Sequence, residues 1–517
     1  MLQVALLAVL LAASPAEPPK APDAPAASAP APDLLPDYDR WYTVELMGGK
    51  AGWMHSQQQR KGETIVTRTK MQFTMGRGGA GIEITMASEF VETLAGKPVS
   101  MRSQQKLGAS PVDTTWTFKD GTVEVVTKQG GRATTETKPA PEGDWVTPAV
   151  AEREMLAKFK AGEKTISAST LAAETGLEPI TQTRTGFEPV TITIEGKPVE
   201  AIKTTVTTDA MGGVASSEWL DKDGELIKSE TNLGGIAVIM TRSSKGEAQA
   251  EGEGFAPEIM VKTFVKPDQP IKDPRTTSRA VYVLSVEGED MPEIPSAGAQ
   301  KVELLNATSA RVMVDASHPQ PALAVDVKNP AFLASSSAAD LTDDKLTALA
   351  AKSLKDAPAD KAQRAELLRR AVYEHISDKN LGTAMATASE VVRTRSGDCS
   401  EHGVLLAALL RADKIPSRVA TGLIYADSFA GSREIFGYHM WAQALLDGPE
   451  GPRWVDLDGT FPPGMTFDAT HISIAHYDLG NDTLNQSLIG LARVLGRLEI
   501  KVESVEHAPA PAPAKGK

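Results

Sequence analysis

The run Arg395-Ser396-Gly397-Asp398-Cys399-Ser400-Glu401-His402-Gly403, continuing into Val404-Leu405-Leu406-Ala407-Ala408-Leu409-Leu410-Arg411-Ala412, decides how this chain is read. A Ser-Gly-Asp turn signal meets an apolar run at helical spacing. A helix is expected to begin there, with Asp398 as its N-cap and Cys399 in its first turn. Cys399 is the sole cysteine among 517 residues. A thiol at a helix N-terminus sits at the positive end of the macrodipole, which favours the thiolate. A lone cysteine is ordinarily a small buried hydrophobe, so the question is whether an imidazole and a side chain to orient it follow downstream.

They do. Beyond the helix the period changes to that of strands: Arg418-Val419-Ala420-Thr421-Gly422-Leu423-Ile424-Tyr425, a polar loop over 426–437 that could act as a lid, then strands over 438–446 and 453–457. Tyr438-His439-Met440-Trp441 puts His439 and Trp441 on one face. Trp454-Val455-Asp456-Leu457-Asp458-Gly459-Thr460 carries two acids on one face, and if the strands are neighbours Asp458 can receive the N–H of His439. A cysteine nucleophile needs a thiolate, an imidazole within hydrogen-bond reach and a group that orients the imidazole. Asp456 competes with Asp458 for the last role. His402 competes as base, one helical turn after Cys399, but no strand carboxylate is evident for it, so it reads as a packing residue. Cys399, His402, His439 and an Asp could also ligate zinc, yet the spacing lacks a tight ligand pair, so no metal is expected.

Upstream, Leu341-Thr342-Asp343-Asp344 opens helices, and Ala362, Ala365, Leu368, Val372 and Ile376 recur at helical spacing. Helices followed by antiparallel strands make an α+β domain with helix packed on sheet.

The segment 388–460 resembles the core of the transglutaminase-like (papain-type) superfamily. The family's Gly-x-Cys helix start, His-Ala-Trp strand and Asp-Pro-Thr strand end correspond to Gly397-Asp398-Cys399, His439-Met440-Trp441 and Asp458-Gly459-Thr460. Between them, Ile415-Pro416-Ser417-Arg418 resembles the family's Ile-Pro-Ala-Arg. Lys414, Ser417 and Gly459 depart from the family pattern in loop geometry and leave the three reactive groups in place. The resemblance implies Cys399 as nucleophile, His439 as base and Asp458 as the residue orienting His439, with the register favouring Asp458 over Asp456. It implies no metal or organic cofactor.

The rest of the chain is read from texture. Apolar residues make up 41% and charged residues 23%, ample for several domains. The net charge of -13, with no basic block, argues against nucleic acid or an anionic membrane as partner. Residues 1–16 combine a short apolar run with Ser14-Pro15-Ala16 and read as a signal peptide, so export to the periplasm or extracellular space is expected. A Pro/Ala-rich linker is expected over 17–36. Residues 37–254 read as one or more β-rich domains, with Asp120-Gly121 and Asp223-Gly224 as hairpin turns and a helix opened by Thr147-Pro148. The two hairpins hint at two similar sheets. Gly76, Gly78, Gly79 and Gly81 are expected in turns, since no phosphate-loop lysine follows them. A small β sandwich is expected over 255–328, the transglutaminase-like domain over 329–506 and a disordered tail over 507–517.

Two functions are compatible with this reading. One is an exported cysteine-dependent acyl-transfer enzyme acting on amide bonds of a peptide or protein substrate, as a peptidase, amidase or transglutaminase. The other is a non-catalytic envelope scaffold that works through its β-rich region.

Overall fold

A computed structural model describes residues 36–77, 80–106, 111–209, 215–233, 236–250, 260–288, 290–381, 386–480 and 494–508. The expected signal peptide, nearly all of the 17–36 linker, Gly78, Gly79 and residues 509–517 of the expected tail lie outside the described residues. The described residues divide into two compact units, one within 36–250 and one within 260–508. Among the described residues no helix is long and apolar enough to cross a membrane.

In the first unit, Thr-rich segments of period two pair into one antiparallel sheet of fourteen strands. Two meanders are joined at their ends: Tyr38–Leu46 pairs with Ile236–Ser243, Val44 facing Met240. The hint of two separate sheets is therefore corrected. The first and last strands of the region complete each other's hydrogen bonds, a long-range pairing that local pattern cannot reveal. The two edges are Arg132–Pro139 and Thr165–Thr170, consecutive in sequence and linked through the helix Pro148–Lys160. Asp120-Gly121 turns the hairpin between Val112–Lys119 and Thr122–Gln129. Gly76 and Gly81 face each other at the end of another. Thr147 precedes the helix as expected, but its hydroxyl donates to Glu92 Oε1 at 2.6 Å, and Glu92 Oε2 takes the Ala149 N–H at 3.0 Å. The negative charge favoured at a helix start thus comes from a distant strand.

In the second unit, a sheet ordered Arg453–Leu457, Ser432–Leu446, Ser417–Phe429, His471–Tyr477 carries helices on one side. The helix Cys399–Ala412 is buried nearly all round, with Leu405, Leu406, Leu409 and Leu410 fully buried, because helices Asp344–Ser353, Lys361–His375 and Ala388–Thr394 cover what the sheet does not. The lid loop expected over 426–437 is instead a continuous hairpin. Strand pairing runs to Phe429↔Ser432, and Ala430 and Gly431 form a two-residue turn with φ of 47° and 80°. The small sandwich is also corrected. Thr277–Val286, Gln300–Asn306 and Ser309–Asp315 make a single sheet whose fourth strand is Leu498–His507. Three strands are too few for two layers, and this sheet is covered by the neighbouring one: the Tyr282 ring meets Phe436 edge-on at 5.7 Å.

Candidate active site

Asp398 is the N-cap of the cysteine helix, accepting the Ser400 N–H at 2.9 Å, while Glu401 reaches back to the Asp398 N–H at 2.9 Å. This reciprocal capping box fixes the turn that presents Cys399 at the helix start, half-buried. Gly397 is required there: a Cβ at its φ of 149° would stand 2.4 Å from the Glu401 Cγ. Burial, and next the Asp398 carboxylate, push Glu401 up to about 7, against the pull of the two backbone N–H groups it accepts.

The helix packs against the strand Ser432–Leu446, which carries His439. His439 retains about 10% side-chain exposure, whereas Asp458 and His471 behind it have none. Asp458 lies just past the end of Arg453–Leu457, and its Oδ2 accepts from His439 Nε2 at 2.8 Å. Its Oδ1 accepts the Thr460 N–H and hydroxyl, each at 2.7 Å. Burial by itself would raise this carboxyl, but His439 and then His471 hold it well below the usual carboxylate range. Gly459 fits its place: a Cβ would approach Val372 at 3.3 Å and His402 at 3.4 Å.

Asp456 is buried away from His439. It accepts from Trp441 Nε1 at 2.7 Å, Gln443 Nε2 at 2.6 Å and the Ala299 N–H at 2.8 Å, fastening Trp441 into the core. His402 is buried, its Nδ1–H donating to the Asp398 carbonyl at 2.5 Å. Arg418, from the Ile-Pro-x-Arg stretch, lies 4.1 Å over the Trp454 ring and donates to Gln443 at 2.7 Å.

Sequence reasoning missed His471. It opens the strand His471–Tyr477 and directs Nε2 at the same Asp458 oxygen, 3.3 Å away. The donor atoms of His439, Asp458 and His471 all lie within 4.8 Å of one another. Both imidazoles already spend their Nε2 on one carboxylate oxygen, so a cation could enter only by breaking both bonds.

Residues 347–459 match the transglutaminase-like superfamily core. This stretch is a transglutaminase-like domain. The matched span contains Cys399, His439 and Asp458. No curated protein matches the chain. Among solved structures, a β-barrel-like protein of a domain of unknown function from Brucella abortus is 14% identical, over 41% of this chain and 97% of its own, with a TM-score of 0.32. The periplasmic domain of TgpA from Pseudomonas aeruginosa, bound to ethylmercury, is 17% identical over 38% of this chain and 88% of its own, with a TM-score of 0.25.

Proposed function

We propose that the chain is an exported cysteine-dependent enzyme that transfers acyl groups from amide bonds of peptides or proteins. Cys399 is the nucleophile, His439 the proton shuttle and Asp458 the residue that holds the imidazole. The observation that carries this reading is the 2.8 Å bond from His439 Nε2 to a fully buried carboxylate, on the strand that packs against the helix headed by the sole cysteine. With Nε2 committed to Asp458, Nδ1 is the nitrogen left to exchange a proton with sulfur.

The thiol proton passes to His439 and the thiolate attacks the amide carbonyl. The Cys399 backbone N–H, at the start of the helix, meets the developing oxyanion. His439 then gives its proton to the departing amine, leaving a thioester. Water regenerates the thiol and releases an acid, or an amine regenerates it and forms a new amide. Export is supported by the apolar start of the sequence and its small-residue exit.

The test is activity on peptide and protein libraries, with hydrolysis and amine incorporation read separately and Cys399→Ala as control. Turnover abolished in the control supports the assignment. Turnover that survives Cys399→Ala, or a wild-type thiol that reacts with alkylators no faster at pH 6 than a free cysteine, overturns it.

A further inference from the structure

Behind the proposed triad lies a second histidine that the mechanism above does not use. His471 is 1% exposed. Its Nδ1 stands 3.0 Å from the Asp468 carbonyl oxygen and 3.5 Å from Asp468 Oδ1. A carbonyl oxygen only accepts, so Nδ1 carries a proton. Nε2 faces Asp458 Oδ2, which as a carboxylate also only accepts, so Nε2 carries one too. Both nitrogens protonated make an imidazolium.

The surroundings suit a cation. Phe467 stacks face to face on the ring at 4.3 Å between centroids, and Trp441 and Phe461 stand steeply against it at 5.2 and 5.6 Å. The charged and titratable groups around it are Asp458, Asp468, His439 and, behind Trp441, the buried Asp456, with Arg275 behind Asp468 at 2.8 Å. Asp468 is anchored as Asp458 is, its Oδ1 accepting the N–H of the Thr two residues on, at 2.9 Å. Burial would strip the ring of its charge, but Asp458 and Asp468 raise it to about 9.

We propose that His471 is a positioning residue, an imidazolium at neutral pH that keeps Asp458 ionised and aimed at His439. It completes an alternating chain, Arg275–Asp468–His471–Asp458–His439, from a site-distant guanidinium to the slightly exposed ring of His439. Its charge also restrains the triad, because a cation behind Asp458 claims part of the carboxylate's field that would otherwise act on His439 alone. This inference rests on the triad reading of Cys399, His439 and Asp458.

Two measurements test it. The first needs no variant and no activity: nitrogen NMR of the full chain labelled at its eight histidines. His471 is assigned by its loss in His471→Gln or, should that variant not fold, by its perturbation in Asp468→Asn. Both ring nitrogens protonated at pH 7.5 is the expected result, and one bare nitrogen overturns the proposal. The second is the pH profile of Cys399 alkylation by iodoacetamide. At the 5.8 Å between the two imidazole centroids, a unit charge in an effective dielectric of about 20 is worth at most about two pH units. His471→Gln, which keeps an amide donor toward Asp458 but loses the charge, the Nδ1 bond to the Asp468 carbonyl and the stack on Phe467, is expected to move the profile about one unit toward higher pH. A folded His471→Gln with an unmoved profile overturns the proposal. If His439→Ala leaves alkylation unchanged, the triad reading fails, while the NMR result still decides the charge of His471.

Discussion

Asp458→Asn keeps the side-chain volume and removes the one negative charge held between two imidazoles. Its Oδ2 lies 2.8 Å from one ring nitrogen and 3.3 Å from the other. With an effective dielectric of about 20, Coulomb's law gives about 5–6 kcal/mol for each contact when the ring is charged. Dehydration offsets much of that, and taking one partner from a buried ion cluster costs about 3–5 kcal/mol net. For a unit of this size the melting temperature is expected to fall by roughly 10 °C at pH 7. The pH dependence follows from the direction of the shift. Burial works against the carboxylate, but His439 and His471 hold Asp458 well below its ordinary range. Its stabilisation is therefore present above the unfolded carboxylate range and is lost as pH falls below about 4. The gap between variant and wild type should be widest near neutrality and close in acid. Calorimetry from pH 3 to 8 measures it, and iodoacetamide labelling of Cys399 at pH 6 should slow by about a hundredfold or more. Melting within a degree of wild type at pH 7, or a gap that widens in acid, refutes the account of a shared buried carboxylate.

Other perturbations probe separate links. His439→Ala takes from the buried Asp458 its nearest partner and should lower the melting temperature by several degrees while cutting turnover by about 10²–10⁴-fold, measured on any substrate found by profiling. Gly397→Ala drives a Cβ into Glu401 and should disrupt the capping box, lowering stability by about 1–2 kcal/mol in urea titration; an unchanged midpoint would show that the turn relaxes freely. Glu401, raised to about 7, favours the folded state in its protonated form, so its contribution is full below the unfolded carboxylate range and is lost as pH rises through 7. Glu401→Gln should therefore gain on wild type between pH 4.5 and 8 by up to about 3 kcal/mol, read as the difference of two melting curves. Ala430→Gly relieves a left-handed alanine at φ 47° in the hairpin turn and should stabilise by about 0.5 kcal/mol; destabilisation would mean the turn conformation is misread.

What the sequence discloses here is whatever is settled within a dozen residues. The cysteine helix is legible because the cap, the turn glycine and the apolar run are adjacent, and Asp120-Gly121 because hairpin chemistry is local. The strand bearing His439 is legible from its period, and its neighbour from the resemblance. His471 escapes because its meaning comes from register: the strand His471–Tyr477 pairs with Ser417–Phe429, on the far side from His439, and only that pairing brings its ring beneath Asp458. One signal was available. Asp458-Gly459-Thr460 and Asp468-Ala469-Thr470 repeat an Asp-x-Thr pattern in which Thr clamps the carboxylate, and His471 follows the second copy directly. The hairpin at Ala430 escapes because alanine seldom adopts a left-handed conformation. The joining of Tyr38–Leu46 to Ile236–Ser243 leaves no local trace at all.

The strand Leu498–His507 has a consequence for how the molecule is made. Its partner Thr277–Val286 leaves the ribosome about two hundred residues earlier, at the elongation rates of cells a delay of tens of seconds. Throughout that interval one row of amide and carbonyl groups stands open, a template for any passing strand. Synthesis from the N-terminus therefore cannot close this unit piecemeal. A nascent chain stalled before Leu498 carries the cysteine helix already complete in sequence but lacks the last rung of the sheet beside it, and cells making this protein should show that intermediate bound to chaperones.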